Sequence, residues 1–475
     1  MPRLPLSKEG EEIRKSAYRQ REEKLLTRDM SKTFFGTDGI RGKANEFPLV
    51  PEFATKLARA VCEVVEIGDE ESVVIGLDTR VSGVMLEAAM TSAFLAEGVS
   101  VHHLGVVSTP VTAFLTKETN AAAGIMITAS HNPYEDNGIK IFNDDGYKLS
   151  DEQEEEIEEI LEDDDAAISV GSVGLSLSVD QPEGLYFQKL LKLVEDVDFS
   201  GLKVVVDCAN GATAFSAPQF LESLGMSVTA MAVEPDGKNI NEECGAVHPE
   251  AAAKLVKEQG ADLGVCFDGD GDRLIMIDEE GEVITGDRIL CLSALAMKAR
   301  GELKNDTLVA TVMSNLGLRD ALEAQGIKLE TTGVGDKLVM ERMIEGGYSL
   351  GGENSGHIIF GDYTTTGDGL LSALVVMAEV KKSGKKLSEL SNCMEEYPQQ
   401  LTNLYVKDKP EIEDVPKLYT AIKEAEAALS STGRTLVRYS GTENKIRVLV
   451  EAKTEDEVEI WSNHICKAVK KTIGA

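Results

Sequence analysis

No stretch of this chain approaches the length of apolar sequence that spans a bilayer. A transmembrane helix needs roughly 18 or more consecutive apolar residues, and every apolar run here is much shorter. The N-terminal segment is dense in Lys, Arg and Glu and lacks the apolar core of a secretion signal. We therefore expect a cytoplasmic protein that does not bind membranes.

Paired cysteine motifs are also missing. The seven cysteines are odd in number, show no Cys-x-x-Cys spacing, and lie in part within apolar, strand-like runs. We interpret them as reduced thiols in the core of a cytoplasmic protein.

Positive charge is scarce, because 48 Lys and Arg stand against 82 Asp and Glu, for a formal net charge of −34. This charge repels nucleic acid and anionic membranes, so neither is expected as a partner. It also opposes a phosphorylated substrate. A phosphate site would have to be built from locally concentrated arginine, lysine and backbone amides.

The 475 residues are too many for one hydrophobic core. Short apolar strands alternate with helical patterns in three successive stretches, which predicts βαβ units and largely parallel sheets, and the last stretch differs and suggests a smaller α+β unit. The predicted divisions are an N-terminal extension over 1–30 and domains over 31–182, 183–285, 286–398 and 399–475.

A serine at the end of an apolar run is the first candidate for chemistry. Residues 121–127 read as a buried strand that stops at the segment TASHNP, residues 128–133, so Ser130 is expected where a parallel strand opens onto a loop. Open α/β sheets bind their ligands at such loops. His131 and Lys140, in the same predicted loop, are candidate partners of a nucleophile. A turn serine beside a proline is the alternative.

The segment DGDGDR, residues 268–273, follows another predicted strand and places three carboxylates at alternate positions. Two like charges about 4 Å apart repel by roughly 4 kcal/mol at an effective dielectric constant near 20, so convergence of these groups needs a cation. All-oxygen ligands favour a hard divalent ion, with magnesium expected first. An exposed acidic turn and a calcium loop are the alternatives, but Ile277 and Asp278 stand where an EF-hand pattern needs glutamate.

Two further loops concentrate polar groups. The segment GGENSGH, residues 351–357, offers donors and acceptors suited to sugar hydroxyls. Its candidate residues are Glu353, Asn354, Ser355 and His357. The segment RYSGTEN, residues 438–444, fits a phosphate cradle, with a solvent-exposed turn as the alternative. Its candidates, with one residue just beyond it, are Arg438, Ser440, Gly441, Thr442 and Arg447.

Taken together, the motifs resemble those of the α-D-phosphohexomutase family. The segments that carry the resemblance are 35–42 (FGTDGIRG), 128–133 with 137–140, 268–273, 352–357 and 438–443. The resemblance extends from residue 33 to about 470. The loops at 35–42 and 353–357 most resemble the bacterial members that act on glucosamine phosphate. Four positions depart from the usual family pattern, namely Lys337, Leu338, Tyr439 and Asn444.

The resemblance implies an α/β protein of four domains around a central cleft. Three are similar α/β/α sandwich domains with mixed sheets, and the fourth is a smaller C-terminal α+β domain. The resemblance also implies that Ser130 is a phosphoserine. It implies that one Mg²⁺ per subunit is held by a phosphoserine oxygen with Asp268, Asp270 and Asp272. Lys140 and His131 would move protons, and Arg41 and Arg273 would complete a basic lining.

The implied activity is an intramolecular phosphotransfer between glucosamine 6-phosphate and glucosamine 1-phosphate. It would pass through a sugar bisphosphate, which also serves as activator, and would feed UDP-N-acetylglucosamine and cell-wall synthesis. Activity on glucose or mannose phosphates is one alternative, and a phosphosugar-binding protein without turnover is another. The expected partner is a small phosphosugar, and a homodimer is an option.

Overall fold

The computed structural model describes residues 33–68, 71–162, 172–430, 432–440 and 444–475. The extension predicted for residues 1–30 lies outside these ranges. Four β-sheets follow one another along the described chain, with seven, five, four and three strands. The first three sheets are mixed and the last is antiparallel.

The first sheet has the strand order β1-β2-β6-β5-β3-β4-β7. Its strands are β1 (Phe35–Gly36), β2 (Gly39–Lys43), β3 (Ser72–Leu77), β4 (Ser100–Val106), β5 (Ala123–Ile127), β6 (Asp136–Asn143) and β7 (Ser176–Ser178). Its helices are α1 (Pro51–Val64), α2 (Gly83–Ala96), α3 (Thr109–Glu118) and α4 (Asp151–Glu162). All five residues of β5 are buried, as expected for a central strand covered on both faces.

Strand β6 runs antiparallel to β5 and pairs Ile127 with Ile139. The loop that contains Ser130 therefore connects two neighbouring strands. Our expectation that Lys140 shares this loop is wrong, because Lys140 lies on β6 between the buried Ile139 and Ile141. Successive side chains of a strand point to opposite faces, so the two isoleucines can face the core while the lysine faces the other side.

The second sheet has the order β12-β11-β10-β8-β9. Its strands are β8 (Lys203–Asp207), β9 (Ser227–Met231), β10 (Leu263–Phe267), β11 (Leu274–Asp278) and β12 (Val283–Ile284), and its helices are α5 (Gly184–Leu193), α6 (Ala217–Ser223) and α7 (Glu250–Gln259). Strands β8, β9 and β10 are parallel, whereas β10 and β11 form an antiparallel pair joined by residues 268–273. This tight connection carries the three aspartates.

The third sheet has the order β14-β13-β15-β16. Its strands are β13 (Thr307–Thr311), β14 (Lys328–Thr332), β15 (Leu350–Gly352) and β16 (Ile358–Phe360), and its helices are α8 (Gly286–Arg300), α9 (Leu316–Ala324), α10 (Asp336–Gly346), α11 (Gly369–Ser383) and α12 (Leu387–Ser391). Helices α8, α10 and α11 each end at a glycine in the left-handed region, where a residue without a Cβ is favoured. One apolar core cluster joins residues of the first three sheets and their helices.

The C-terminal unit is small and has a hydrophobic core of its own. It consists of β17 (Gln399–Tyr405), β18 (Gly433–Tyr439) and β19 (Lys445–Ala452) in the order β17-β19-β18, with helices α13 (Pro416–Leu429) and α14 (Glu455–Thr472). Arg434 anchors this unit to the third by donating to the carbonyls of Val312, at 2.8 Å, and Ser314, at 2.5 Å. The predicted four-domain α/β fold class is confirmed, and the boundaries predicted between the domains stay predictions.

Two expectations about composition can be compared with the structure. None of the helices within the described ranges is both long and apolar enough to cross a bilayer. All seven cysteines are free, and six of them are buried.

Candidate active site

Ser130 is completely buried and lies against the aspartates of the second sheet. Its Oγ donates a hydrogen bond of 2.6 Å to Asp268 Oδ2 and lies 3.4 Å from His131 Nδ1. The φ angle of Ser130 is 53°, in the left-handed region that residues other than glycine seldom adopt. The backbone of Ser130 thus has an unusual conformation, and its hydroxyl group lies beside a carboxylate.

The three aspartates come together as their spacing predicted. Carboxylate oxygens of Asp268, Asp270 and Asp272 lie within 4.8 Å of one another, and all three residues are buried. Gly271 has a φ of +69°, and a Cβ at Gly269 would lie 2.6 Å from the carbonyl oxygen of Ser130. Glycine is therefore required where the aspartate loop approaches the serine loop.

Lys140 is the main cation of this cluster. Its Nζ lies 2.9 Å from Asp270 Oδ2, 2.8 Å from Asp272 Oδ2 and 3.1 Å from Asp38 Oδ2. Burial opposes the charged ammonium group, but the carboxylates prevail and raise the pKa of Lys140 well above its ordinary value. The lysine is therefore held as an ammonium ion.

Two oxygens of these carboxylates accept no hydrogen bond from the described residues. Oδ1 of Asp270 and Oδ1 of Asp272 are buried and have no hydrogen-bond partner. Burial and the neighbouring Asp270 and Asp272 raise the pKa of Asp268 to about 8, because charges of one sign crowd a site away from water. Three converging carboxylates with unpartnered oxygens fit a hard divalent cation such as Mg²⁺.

His131 is neutral near pH 7 in this setting. Burial, together with the positive charges of Arg273 and Arg41, lowers the pKa of His131 to about 3. Arg41 pairs with Asp38, and Arg273 lies 4.0 Å from Asp268 Oδ2 through its Nε. Both arginines act on the pKa of the residue next to Ser130, so fixed positive charge lies near the serine.

The loop at 353–357 lies next to the aspartate loop. The backbone N–H of Leu274 donates to the carbonyl of Gly356 at 2.9 Å, and His357 Nδ1 lies 3.6 Å from Asp272 Oδ1. Glu353 Oε1 accepts a hydrogen bond of 3.2 Å from Gly335 N, and Ser355 Oγ lies 3.4 Å from Glu353 Oε2. Asn354 and its neighbours Glu353 and Ser355 are partly exposed and available to a ligand.

His357 lies beside the three aspartates and also contacts Asp336 and Gly367. It is buried, and its Nε2 lies 3.4 Å from Asp336 Oδ2. Burial disfavours the charged ring, but Asp272 and Asp336 together raise the pKa of His357 to about 9. The N–H of Gly367 also points at Nε2, at 2.9 Å, and such a bond requires a neutral ring. Because two carboxylates face the ring, we consider the charged form to be favoured.

The predicted phosphate cradle lies on the antiparallel sheet of the C-terminal unit. Arg438 of β18 and Arg447 of β19 are direct cross-strand partners, and Ser440 is buried at the end of β18. Arg447 Nε is buried without a partner. Within the described ranges, no hydrogen bond or ion pair joins either arginine to Ser130 or the aspartates. The predicted sites Gly441 and Thr442 lie outside the described residues.

Several residues of the site were missed by the sequence interpretation. Thr109, at the start of α3, donates to Asp270 Oδ2 at 2.5 Å, and Lys148 contacts both Asp38 and Asp336. Arg80 and Asn241 donate to the backbone of the Ser130 loop. Arg80 did have a signal, since it ends the polar segment 78–80 that follows the apolar, strand-like run 73–77, but Asn241 and Lys148 had none.

This fold and this site define a class of enzyme: a multidomain α/β protein in which a serine hydroxyl lies beside a cluster of carboxylates that could hold a metal ion. Four family models match the chain, all for the phosphoglucomutase/phosphomannomutase family. They cover the α/β/α domain I at residues 32–167, domain II at 185–281, domain III at 285–397 and the C-terminal domain at 401–468. The chain therefore belongs to this family, and the predicted resemblance to the α-D-phosphohexomutases is confirmed.

Curated relatives match over nearly the whole chain. The phosphoglucosamine mutase of Halalkalibacterium halodurans is 50% identical over 444 residues, which cover 93% of this chain and 99% of the relative. The phosphoglucosamine mutase of Bacillus subtilis is 48% identical over 445 residues, with the same coverage.

Solved structures share the fold. A phosphoglucomutase/phosphomannomutase family protein from Burkholderia thailandensis superposes with a TM-score of 0.78 at 24% identity, covering 93% of this chain and 98% of that one. The N-acetylphosphoglucosamine mutase of Aspergillus fumigatus, in complex with GlcNAc-6P and magnesium, gives a TM-score of 0.65 at 18% identity, with coverage of 95% and 98%.

Proposed function

We propose that this enzyme is a phosphoglucosamine mutase, which interconverts glucosamine 6-phosphate and glucosamine 1-phosphate. The observation that carries the proposal is the 2.6 Å hydrogen bond from Ser130 Oγ to Asp268, inside a cluster of three carboxylates and Lys140. An amino sugar is chosen as the substrate because curated phosphoglucosamine mutases are 48–50% identical to this protein over 93% of the chain.

In the first half-reaction, phosphorylated Ser130 transfers its phosphoryl group to the sugar oxygen O1 of glucosamine 6-phosphate. The bond from phosphorus to Oγ breaks, a bond from phosphorus to O1 forms, and the proton of the O1 hydroxyl ends on Oγ. In the second half-reaction, the sugar bisphosphate turns around and returns its 6-phosphoryl group to Oγ, while the proton of Oγ ends on O6. Glucosamine 1-phosphate is released, and Ser130 is phosphorylated again.

The residues around Ser130 suit the charge and proton movements of these steps. The residues proposed to move the proton are Lys140 and His131. Lys140 Nζ donates to Asp270 Oδ2 at 2.9 Å, and His131 Nδ1 lies 3.4 Å from Oγ. Lys140, Arg41 and Arg273 supply fixed positive charge for a phosphoryl group that carries negative charge in transit. The steps need positioning and charge neutralisation more than covalent assistance.

The carboxylates Asp268, Asp270 and Asp272, with a phosphoserine oxygen, would hold one Mg²⁺ per subunit. Bound there, the ion would neutralise negative charge on the transferring group. The two unpartnered oxygens of Asp270 and Asp272 support this assignment. We further propose that a sugar bisphosphate activates the enzyme by phosphorylating Ser130.

Sugar and distal phosphate are assigned to the other two loops. Partly exposed polar groups at 353–355 are suited to hydroxyl groups of the sugar, and the proposed residues are Glu353, Asn354 and Ser355, together with the buried His357. The paired arginines of β18 and β19 are suited to the phosphate that does not react. The proposed residues are Arg438, Ser440, Gly441, Thr442 and Arg447. A cytoplasmic location and a homodimer stay predictions.

The test is turnover by the purified protein with Mg²⁺ and a trace of glucosamine 1,6-bisphosphate. ³¹P NMR follows the 6-phosphate and 1-phosphate of glucosamine, glucose and mannose in parallel. We expect the specificity constant for glucosamine phosphate to exceed the other two at least about tenfold. Faster conversion of glucose or mannose phosphate would identify a phosphoglucomutase or phosphomannomutase, and tight binding without turnover would identify a binding protein.

A further inference from the structure

Arg80 is a buried arginine outside the groups that face a substrate. It follows β3, and its side chain is 0% exposed. Its Nη2 donates to the carbonyls of Ser130, at 2.9 Å, and Asn132, at 2.8 Å. Its Nη1 donates to the carbonyls of Pro133 and, at 3.0 Å, Asp136. Three carbonyls of the serine loop and the first carbonyl of β6 thus accept from one guanidinium group.

The remaining donor of the guanidinium group fixes its orientation. Nε donates to Asp78 Oδ2 at 2.9 Å, and the same oxygen accepts from Thr128 Oγ1 at 2.7 Å. Thr128 Oγ1 in turn accepts from the backbone N–H of Ser130 at 2.9 Å. Arginine has five N–H donors in a rigid plane, and all five are used here. Lysine could supply only three donors and no plane.

A second side chain, from the connection that follows β9 of the second sheet, binds the same part of the loop. Asn241 Nδ2 donates to the carbonyls of Ser130, at 2.9 Å, and Asn132, at 3.0 Å. Each of these carbonyls therefore accepts from Arg80 on the side of the first sheet and from Asn241 on the side of the second. The two residues join the serine loop to the unit that carries the aspartates.

The conformation held in this way is one that serine seldom adopts. With a φ of 53°, Ser130 persists in the left-handed region only because its surroundings determine it. Rotation of the Ser130 backbone would move its carbonyl away from both donors and would move Oγ away from Asp268. The orientation of the carbonyl and the position of the hydroxyl are thus two parts of one conformation.

We propose that Arg80 and Asn241 are positioning residues that hold Ser130 Oγ in line for phosphoryl transfer, an inference that rests on the proposed mutase function. Neither side chain contacts the hydroxyl of Ser130 in the structure. They act through the backbone of the loop. A reacting group misplaced by about 1 Å can cost about a hundredfold in rate, so their loss is expected to affect turnover and not substrate binding.

The experiment compares Arg80→Lys, Arg80→Ala and Asn241→Ala with the wild type. We expect kcat to fall about a hundredfold in the two Arg80 variants and about tenfold in Asn241→Ala, with KM for glucosamine 6-phosphate within about threefold of the wild type. Millimolar guanidinium ion should restore part of the kcat of Arg80→Ala. Arg300→Lys is the matched control, because Arg300 pairs with Glu302 and Glu379 at the surface, and it should keep wild-type kinetics.

Two further readouts keep the outcomes distinct. Circular dichroism establishes the folded fraction, and kcat is expressed per folded enzyme. If the Arg80 variants do not fold, the kcat of Asn241→Ala tests the proposed positioning role. The phosphoenzyme, prepared with a sugar bisphosphate, is assayed for transfer to sugar against hydrolysis, and we expect the variants to lose transfer relative to hydrolysis. Folded variants with unchanged kcat, or with a loss confined to KM, would overturn the proposal. A wild type that does not convert glucosamine phosphate, although its Ser130 exchanges phosphoryl groups with a bisphosphate, would instead overturn the substrate assignment.

Discussion

Ser130 Oγ and Asp268 Oδ2 share a hydrogen bond of 2.6 Å, although the two residues are 138 positions apart. Ser130 follows β5 of the first sheet, and Asp268 follows β10 of the second. Both strands are fully buried and end at this point. The proposed nucleophile and the proposed metal ligands therefore meet only because the ends of two central strands, from separate sheets, face each other.

Replacing Ser130 with alanine should abolish mutase activity, because the phosphoryl group then has no acceptor on the enzyme. We expect kcat to fall by at least about 10³-fold. Steady-state assays with added bisphosphate, together with intact-mass measurement of bound phosphate, test this. Ser223→Ala is the control, since Ser223 donates only to the carbonyl of Phe220 at the end of α6. An unphosphorylated wild type with full activity and no response to bisphosphate would contradict the mechanism.

Asp270→Asn should lower turnover without harming the fold. The substitution removes one of three crowded negative charges and keeps an oxygen for the hydroxyl of Thr109. At limiting Mg²⁺ we expect a fall in kcat of about a hundredfold, with a melting temperature within a few degrees of the wild type. Asp262→Asn, at the opposite end of the same strand and exposed, is the matched control. Equal rates for Asp270→Asn and wild type at limiting Mg²⁺ would refute the metal assignment.

The loop at 353–357 should decide which hexose phosphate is used. Phosphate and metal groups meet the same chemistry in every phosphohexose, whereas Glu353 and Asn354 offer partly exposed polar atoms for the sugar. Losing one paired polar contact in a closed site costs about 1 to 3 kcal/mol, or roughly tenfold to a hundredfold in specificity. Glu353→Gln and Asn354→Met should therefore change the ratio of specificity constants for glucosamine and glucose 6-phosphates.

The control for this prediction is Arg447→Lys, which should weaken both substrates equally because the distal phosphate is common to them. If the ratio stays constant in Glu353→Gln and Asn354→Met as well, sugar selectivity resides elsewhere.

The titration of Asp287 should make the free energy of unfolding fall as pH rises. It is buried at the start of α8 and accepts a hydrogen bond of 2.8 Å from Asn315 N. Burial raises the pKa of Asp287 from 3.8 to about 6. The folded state therefore binds a proton more tightly than the unfolded state does, and its stabilising contribution is present below pH 4 and lost as pH rises through 6.

Asp287→Asn cannot ionise and should escape this loss. At pH 7 we expect the free energy of unfolding of the variant to exceed that of the wild type by up to about 2 to 3 kcal/mol, and the difference to shrink toward pH 4. Urea unfolding of both proteins at pH 4, 5, 6 and 7 measures it. A constant difference across this range would show that Asp287 does not titrate as the structure indicates.

The sequence alone identified the parts of the site that are encoded locally. A strand that ends in a polar turn marked Ser130, and the alternation of aspartate and glycine marked the loop proposed to bind a metal ion. These signals are local because a strand and the turn after it are set by neighbouring residues. The same periodicity indicated the α/β class and the different character of the last unit, and the motifs together indicated the family.

The tertiary structure alone decided which distant groups share the site. Lys140 proved to be on a strand paired with β5, so its ammonium group reaches Asp270, 130 positions away. Asn241 and Lys148 had no local signal, because an amide in a loop and a lysine after a strand occur in any surface segment. Their roles depend on strand order and on how the sheets pack, and these follow from the burial of apolar faces over the whole chain, which no short segment encodes.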